Sequence, residues 1–353
     1  MNARTLGLCL LLVGCDQAPE QGFAGLGSDS AEFAAVTPGR AFAFDRDHGP
    51  HPDYRIEWWY LTANLEDDQG RPFGVQWTLF RSALTPGSLE AGWNNRNLWI
   101  GHAGLTSAHA HYSAQTLARG GVGQAGVEAR PFSAWIDDWR LQSRPGAATA
   151  LADMDVQAHG KGFSYTLRLT SSQPLVLQGE AGYSRKSAQG QASYYYSQPF
   201  FKAAGELRIE GRTYPVTGTA WLDREWSSQP LAANQQGWDW FSLHLEHGQQ
   251  LMLFRLRDRN GEDFLSGNWI DSDGRTHPLT ADDLQIAPLN QHAVAGRKVP
   301  TQWSVKVRSR QLDIRVSALN PDAWMDLGTP YWEGPVTFQG SQSGQGYLEM
   351  TGY

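Results

Sequence analysis

The chain has 353 residues and a formal net charge of −7, from 29 basic and 36 acidic side chains. No cluster of Lys and Arg interleaved with aromatic residues accompanies this acidic balance, which excludes nucleic acid as an expected partner. The 38 glycines, the many short alternating segments and the scarcity of helical periodicity predict an all-β architecture built from hairpins.

The N-terminus carries a targeting pattern. Residues 1–14 hold one basic residue, Arg4, and a short apolar run from Leu6 to Val13, which Gly14 and Cys15 follow. The ending Leu-Val-Gly-Cys resembles a bacterial lipobox, which implies a signal peptide over 1–14, diacylation of Cys15 and a tether over 15–37. An ordinary secretory peptide with an incidental cysteine is the alternative.

The residue after that cysteine bears on location. Asp16 resembles the inner-membrane retention signal of Gram-negative lipoproteins. We therefore expect a periplasmic protein that is held at the inner membrane by its lipid. Cys9 and Cys15 are the two cysteines of the chain, so the mature domain can form no internal disulfide.

Residues 55–65, RIEWWYLTANL, read as a β-strand. Ile56, Trp58 and Tyr60 alternate with Glu57 and Trp59, so both faces of the strand carry aromatic side chains. Such a strand lies between two packed layers or lines a cavity. Glu57 shares a face with Trp59, and the surroundings of that face decide whether this acid is functional.

Further alternation predicts strands at 163–169, 207–209, 305–307 and 312–316. The one helical signal is short. It lies at 280–284, where Thr280 precedes two acids as a helix N-cap does.

Three short landmarks recur in the same order in the two halves of the chain. They are residues 57–59, 79–81 and 99–100 in the first half, and 239–241, 253–255 and 269–270 in the second. The recurrence predicts two consecutive antiparallel β-barrel domains that arose by duplication. We place their boundary near Ala204, which gives domains over 38–204 and 205–353.

Acids next to aromatic residues are the main chemical signal. They occur at Glu57, at Asp223 and Glu225, at Asp239, and in the segment 331–333. A carboxyl group beside indole rings in a dry cavity has a raised pKa and can act as a general acid near neutral pH. The alternative is that residues 223–225 form a structural ion-pair network.

Other reactive groups give weaker signals. His102 follows a repeat landmark and is a candidate proton carrier or a buried hydrogen-bond donor. His109 and His111 share a strand face without a third ligand at a recognisable spacing, so we expect no metal site. The chain has neither a GxSxG elbow nor a phosphate-binding glycine loop, and we expect no cofactor.

Several segments together resemble a known family. EWWYLTANL at 57–65, SYYYSQPF at 193–200, AWLDREWSSQPL at 220–231, GWDWFSLHL at 237–245 and the ending YLEMTGY are similar to the AttH-like predicted secreted hydrolases, which are related to the carotenoid 1,2-hydratases (CrtC). The resemblance implies two lipocalin-like barrels with an apolar pocket. It also implies an acid of the second domain that protonates an isoprenoid double bond, for which Asp239 and Asp271 are the nearest counterparts.

Three functions are consistent with these features. The first is a hydratase or hydrolase that acts by general acid chemistry on an isoprenoid or lipid-derived substrate, and the second is a non-catalytic carrier of an apolar ligand. The third is glycan binding on exposed tryptophans. The expected ligand contacts are aromatic: Trp58, Trp59, Tyr60, Trp99, Tyr195, Trp226, Trp238, Trp240, Trp269 and Trp332.

Overall fold

The computed structural model describes Leu26, residues 31–87 and residues 89–353. The segment 1–14, Cys15 and Asp16 lie outside the described residues, and so does most of the tether expected over 15–37. No helix within the described ranges is long and apolar enough to cross a bilayer.

The first sheet contains 13 strands. They are β1 (Ile56–Asp67), β2 (Pro72–Ala83), β3 (Asn97–Ser107), β4 (His111–Arg119), β5 (Ala125–Ala129), β6 (Phe132–Ile136), β7 (Trp139–Ser143), β8 (Asp153–Gly160), β9 (Phe163–Thr170), β10 (Val176–Leu177), β11 (Tyr183–Arg185), β12 (Ala192–Ile209) and β13 (Arg212–Ser227).

The second sheet contains 10 strands. They are β14 (Gln235–His244), β15 (Gln250–Asp258), β16 (Phe264–Ile270), β17 (Thr276–Leu279), β18 (Leu284–Val294), β19 (Arg297–Val307), β20 (Leu312–Ala318), β21 (Trp324–Met325), β22 (Tyr331–Gly340) and β23 (Gly344–Met350).

The two sheets follow the same path. The first runs β4-β3-β2-β1-β13-β12-β9-β8-β7-β6-β5, and the second runs β17-β16-β15-β14-β23-β22-β20-β19-β18. In each sheet, the strand that comes first along the chain pairs antiparallel with the one that comes last: β1 with β13, and β14 with β23. This pairing curls the meander into a barrel-like sheet. The predicted all-β fold with two barrel-like units is thereby confirmed.

The register of the strands tests the repeat in detail. Glu57 lies opposite Arg81 in the first sheet, and Asp239 lies opposite Arg255 in the second, so the first two landmarks are structurally equivalent. The third is not. Trp99 pairs with that first arginine, Arg81, whereas Trp269 pairs with Leu251, further along its strand.

The chain passes from one sheet to the other between Ser227 and Gln235. The boundary expected near Ala204 falls inside β12, whose 18 residues cross the first sheet without leaving it. The two long strands β12 and β13 therefore close the first unit before the second begins.

Buried apolar side chains form three clusters. One fills the first sheet, one fills the second, and the third lies between the sheets, where Tyr60 and Tyr195 pack with Trp240 and Phe254. Strand β1 separates two of these clusters. Trp59 belongs to the first core, while Tyr60 belongs to the cluster between the sheets.

Helix is confined to single turns within the described residues. They are α1 (Phe44–Asp47) and two 3-10 turns, Glu246–Gly248 and Arg308–Arg310. The helix expected at 280–284 is wrong. Residues 281–283 form a turn, and Leu284 begins β18 by pairing with Val307, so pairing between strands outweighs the local N-cap signal.

Candidate functional site

A cavity of about 480 Å³ lies between the two sheets. The walls come from the outward faces of β1–β4, β12 and β13 in the first sheet and of β14, β15, β22 and β23 in the second. Most lining residues are apolar or aromatic. The polar and charged ones are Arg55, Ser82, His102, Gln115, Lys186, Asp223, Glu225, Thr329, Glu349 and Thr351.

Strand register places the charged groups in two matching rows. In the first sheet, Trp58 lies opposite Glu225, which lies opposite Tyr195. In the second sheet, Trp240 lies opposite Glu349, which in turn lies opposite Glu333. Each sheet thus brings one acid and one tryptophan to the cavity from equivalent strands.

Asp223 is a buried carboxyl group in the cavity wall. Its Oδ2 accepts a hydrogen bond from Tyr195 Oη at 2.6 Å, and its Oδ1 accepts from Ser197 Oγ at 2.5 Å and Trp221 Nε1 at 2.6 Å. Burial raises the pKa of Asp223 to about 7 against these donors, and the nearby Glu225 adds to the rise. Asp223 therefore exchanges a proton near neutral pH.

Glu225 stands next to Asp223 on the same face of β13 and is paired with a lysine. Lys186 Nζ lies 2.8 Å from Glu225 Oε1, and both side chains are buried. The ammonium also lies 3.7 Å from the centre of the Phe254 ring. Burial lowers the pKa of Lys186, while Glu225 opposes that change. This ion pair supplies a fixed charge pattern beside the proton-exchanging acid.

Glu349 enters the cavity from the second sheet. Trp238 Nε1 donates to Glu349 Oε1 at 2.6 Å, but burial raises the pKa of Glu349 to about 7. Its cross-strand neighbour Glu333 has a pKa well above the usual range because of burial and the charge of Glu349. Tyr60 Oη donates to Glu333 Oε1 at 2.5 Å and connects this pair to β1.

His102 lines the cavity but is held in its neutral form. Its Nδ1 lies 3.0 Å from Tyr331 Oη, and its Nε2 lies 3.2 Å from Gln115 Oε1. Burial lowers the pKa of His102 to about 4. Because the Gln115 amide oxygen can only accept, Nε2 is assigned as the donor, which leaves Nδ1 as an acceptor facing the Tyr331 hydroxyl. His102 therefore orients Tyr331 and is not protonated at neutral pH.

The arrangement suits proton transfer to an apolar molecule. Three carboxyl groups, the Lys186 ammonium and the Arg55 guanidinium line a cavity whose other walls are mainly apolar and aromatic. Two of the acids, Asp223 and Glu349, have pKa values near 7. The aromatic faces and the acids favour a developing positive charge.

Half of the predicted site residues lie in the cavity. Those that line it are Asp223, Glu225, His102, Trp58, Tyr60, Tyr195, Trp238 and Trp240. Those outside its lining are Glu57, Asp239, Asp271, Trp59, Trp99, Trp226, Trp269 and Trp332.

Glu57 belongs to a buried ion-pair network inside the first sheet. It is bound by Arg81 and Arg224, and the backbone N–H of His51 donates to its Oε1 at 2.9 Å. Although burial acts to raise it, the pKa of Glu57 is held well below the usual range by the two guanidinium groups. The geometry therefore makes Glu57 a structural anion.

Asp239 and Asp271 are also paired away from the cavity. Asp239 Oδ1 accepts from Arg257 Nη1 at 2.6 Å and from Tyr353 Oη at 2.8 Å. Asp271 Oδ2 lies 2.7 Å from His277 Nε2, and this hydrogen bond lowers the pKa of Asp271. Glu349, and neither of these two aspartates, is the acid that the second sheet contributes to the cavity lining.

The aromatic residues outside the lining pack in the cores. The Trp59 and Trp99 rings lie 6.0 Å apart, and the Trp226 ring stacks 3.9 Å from His51. Trp269 and Trp332 belong to the core of the second sheet. Among the described residues, Trp93 is the one tryptophan with a strongly exposed ring. A flat outer face of tryptophans, which glycan binding would require, is not formed by these residues.

Sequence reasoning missed several lining residues, chiefly Lys186, Glu349 and Phe254, while Tyr331 belongs to the acid–aromatic segment 331–333 named above. Glu349 had a signal, because it alternates with Tyr347 and so shares a face with an aromatic residue. Lys186 had none. It lies in a polar stretch that reads as a loop. In the structure this stretch is the turn of the β11–β12 hairpin, closed by a hydrogen bond of 2.7 Å from the Lys186 backbone N–H to the Gln191 carbonyl, and the Lys186 side chain lines the cavity.

The AttH-like family model matches residues 35–353. The chain belongs to the AttH-like family. A search of curated proteins finds no match to the sequence. This AttH-like chain is 36% identical to a crystallised Nitrosomonas europaea protein that carries the name AttH, with a TM-score of 0.80, over 91% of this chain and 100% of that one.

Two further solved structures share the fold of this AttH-like chain. Kievitone hydratase from Nectria haematococca is 15% identical, with a TM-score of 0.67 over 95% of this chain and 98% of that one. CghA, crystallised with Sch210972, is 12% identical, with a TM-score of 0.56 over 92% and 97%. At these identities the similarity concerns the fold alone.

Proposed function

We propose that this AttH-like chain is an acid-catalysed hydratase whose substrate is an apolar alkene, isoprenoid or lipid-derived, bound between the two sheets. One observation carries the proposal. Asp223, a buried carboxyl group whose pKa is raised to about 7, lies in the wall of a mainly apolar and aromatic cavity that holds two further acids. A hydratase among the proteins with the same fold is consistent with this chemistry.

Asp223 and Tyr195 supply the proton. The 2.6 Å hydrogen bond between Oδ2 and the phenol lets the proton reach the cavity directly or through Tyr195, which also lines it. The alkene π electrons form the new C–H bond, and Asp223 becomes a carboxylate. Its three hydrogen-bond donors then stabilise the negative charge.

The cation that forms is held between aromatic rings. Trp58, Tyr60 and Trp240 line the cavity, and their faces attract positive charge. Water adds to the cation through its oxygen, and the proton that water loses passes to a carboxylate, for which Glu349 is placed on the opposite sheet. Glu349 then releases this proton to solvent while Asp223 takes one up, so both carboxyl groups return to their starting states and no net proton is consumed.

Hydration fits the site better than ester hydrolysis does. A serine hydrolase needs a base in contact with its nucleophile, and both ring nitrogens of His102 are engaged by Tyr331 and Gln115.

Turnover with labelled water tests the proposal. A panel of acyclic isoprenoid alkenes is incubated with the protein in oxygen-18 water, and products are examined by mass spectrometry. We expect a tertiary alcohol that carries the label, and no such product from the Asp223→Asn variant. Binding of the alkenes without any labelled product would overturn the hydratase proposal.

That last result would favour the second candidate, a carrier. The apolar walls of the cavity support it, because an aromatic pocket between sheets can hold a ligand without converting it. A carrier predicts that protein purified from its own cell envelope retains an unchanged apolar molecule. It also predicts that Asp223→Asn retains the same molecule.

The lipid anchor stays part of the proposal. Cys15 within its lipobox-like segment and Asp16 after it support acylation and retention at the periplasmic face of the inner membrane. Fractionation of cells that express the chain and its Cys15→Ser variant tests this. We expect the unchanged chain in the inner-membrane fraction with a mass gain from acylation, and neither result for the variant.

A further inference from the structure

The exposed apolar side chains are concentrated at one place. Seven large hydrophobic residues are exposed among the described residues, and six of them come from 84–98 and 117–122. We call these six the apolar rim: Leu84, Leu89, Trp93, Leu98, Leu117 and Val122. Trp93 is 75% exposed and Leu117 is 53% exposed, and exposed apolar residues that cluster in this way mark an interaction surface.

The rim is held together by backbone hydrogen bonds. Leu84 donates its N–H to the Arg96 carbonyl at 2.9 Å, and Gly92 donates to the Gly121 carbonyl at 2.6 Å. The first hydrogen bond closes the β2–β3 loop, and the second joins that loop to the β4–β5 loop. The rim is therefore one surface at one end of the first sheet.

The rim is continuous with the cavity. A row of four paired residues crosses β1 to β4: Trp58 lies opposite Phe80, Phe80 opposite Ile100, and Ile100 opposite Leu117. All four line the cavity, and Leu117 at the outer end is also exposed. An apolar path thus runs along the sheet from the rim to the proposed site.

Charge and chain direction indicate what the rim contacts. The ranges 84–98 and 117–124 carry Arg96, Arg119 and Glu90, a net charge of +1 (two basic minus one acidic) in a chain of −7. The Arg119 guanidinium lies 5.9 Å from the centre of the Trp93 ring. Exposed Trp and Leu flanked by arginine suit the interface of a lipid bilayer with anionic head groups.

Leu26, the first described residue, also lies at the cavity. Its carbonyl accepts a hydrogen bond from Arg55 Nη2 at 3.1 Å. Cys15 precedes it by 11 residues, which span at most about 40 Å when extended. A lipid on that cysteine would hold the mouth of the cavity close to a membrane.

We infer that the apolar rim docks on a lipid bilayer and that the apolar ligand enters the cavity from the bilayer along the row that ends at Leu117. The inference extends the proposed function and rests on it for the apolar nature of the ligand. Docking itself requires only the exposed residues and their continuity with the cavity.

Site-specific fluorescence tests the docking. Both cysteines of the full chain are replaced by alanine, and a single cysteine that carries an NBD fluorophore is placed by Trp93→Cys or, as the matched control, by Leu289→Cys. Leu289 is the seventh exposed hydrophobic residue, 48% exposed, and lies on β18 of the second sheet. The vesicles contain phosphatidylethanolamine and phosphatidylglycerol.

We expect the emission at position 93 to shift to the blue and to be quenched by spin-labelled lipid, with no change at 289. Equal changes at both positions, or none at 93, would overturn the inference, whatever the N-terminus contributes to binding. A Leu84→Asp/Trp93→Asp variant should lose vesicle binding relative to Leu289→Asp. The Asp223→Asn protein should still dock, so a failed hydratase and a failed docking surface give different results.

Discussion

Glu225 and Glu349 occupy equivalent positions in the two sheets. Each lies on the last strand of its sheet, opposite the tryptophan of the first strand, Trp58 or Trp240. Their surroundings differ, because Glu225 is paired with Lys186 whereas Glu349 faces the carboxyl group of Glu333. Equivalent strands thus place two acids at one cavity, and the residues around them give Glu225 a cationic partner and Glu349 none.

Replacement of Asp223 by asparagine should remove most of the hydration activity. The amide keeps an oxygen for Ser197 and Trp221 but has no acidic proton to give, and loss of a general acid costs on the order of 10²–10⁴-fold in rate. The measurement is kcat/KM for labelled-water incorporation. Asp271→Asn is the control, since Asp271 lies outside the cavity lining, and it should leave the rate unchanged. Full activity of the Asp223→Asn variant would remove this acid from the mechanism.

The activity should be greatest near pH 7 and fall on either side, because Asp223 must carry its proton while Glu349 must have lost its own. Stability should fall as the pH rises. The pKa values of Asp223 and Glu349 are raised from 3.8 and 4.5 to about 7, so the folded state binds more protons than the unfolded state between about 4 and 7. The free energy of unfolding contributed by these groups therefore decreases over that window.

Urea unfolding at several pH values across this window measures the effect on stability. In the Asp223→Asn variant the decrease should be smaller, with the remaining part due to the other buried carboxyl groups whose pKa is raised, among them Glu349 and Glu333. A contribution that rises with pH would show that these carboxyl groups are ionised in the folded protein.

Glu57→Gln should destabilise the protein and leave ligand affinity unchanged. The substitution leaves Arg81 and Arg224 buried without their anion, and breaking a buried ion pair costs about 3–5 kcal/mol. Chemical denaturation and ligand titration on the same variant separate the two effects. A loss of affinity at unchanged stability would place Glu57 back in the site.

The fold could be predicted because its signals are local. Alternation, as in the strand that contains Glu57 and Trp58, depends on residues that are near in sequence, and each recurrent landmark is itself only two or three adjacent residues. Which face of that strand meets the cavity depends on a second sheet that begins far along the chain. The sequence therefore could not decide whether Trp58 or Trp59 lines the cavity. Lys186 could not be found for the same reason, since its partner Glu225 comes from another strand.

Trp58→Ala and Trp59→Ala should give opposite results, although the two residues are neighbours. Trp59 is buried in the first core, and its Nε1 donates to the His48 carbonyl at 2.8 Å, so its loss should cost about 3–5 kcal/mol of stability. Trp58 lines the cavity, so its loss should mainly weaken binding of an apolar ligand. Thermal unfolding and fluorescence titration check both. Similar stability losses with unchanged binding would mean that Trp58 is also a core residue.

Lys186 and Glu225 should behave as a coupled pair. Lys186→Met leaves the Glu225 carboxylate buried without its cation 2.8 Å away, and the expected cost is about 3–5 kcal/mol. Adding Glu225→Gln removes that charge, and because Ser193 Oγ also donates to Glu225, the glutamine oxygen keeps a hydrogen bond. The double variant should therefore be more stable than Lys186→Met alone. A double-mutant cycle measured by urea unfolding gives the coupling energy, and strictly additive effects would show that the pair contributes nothing beyond its separate contacts.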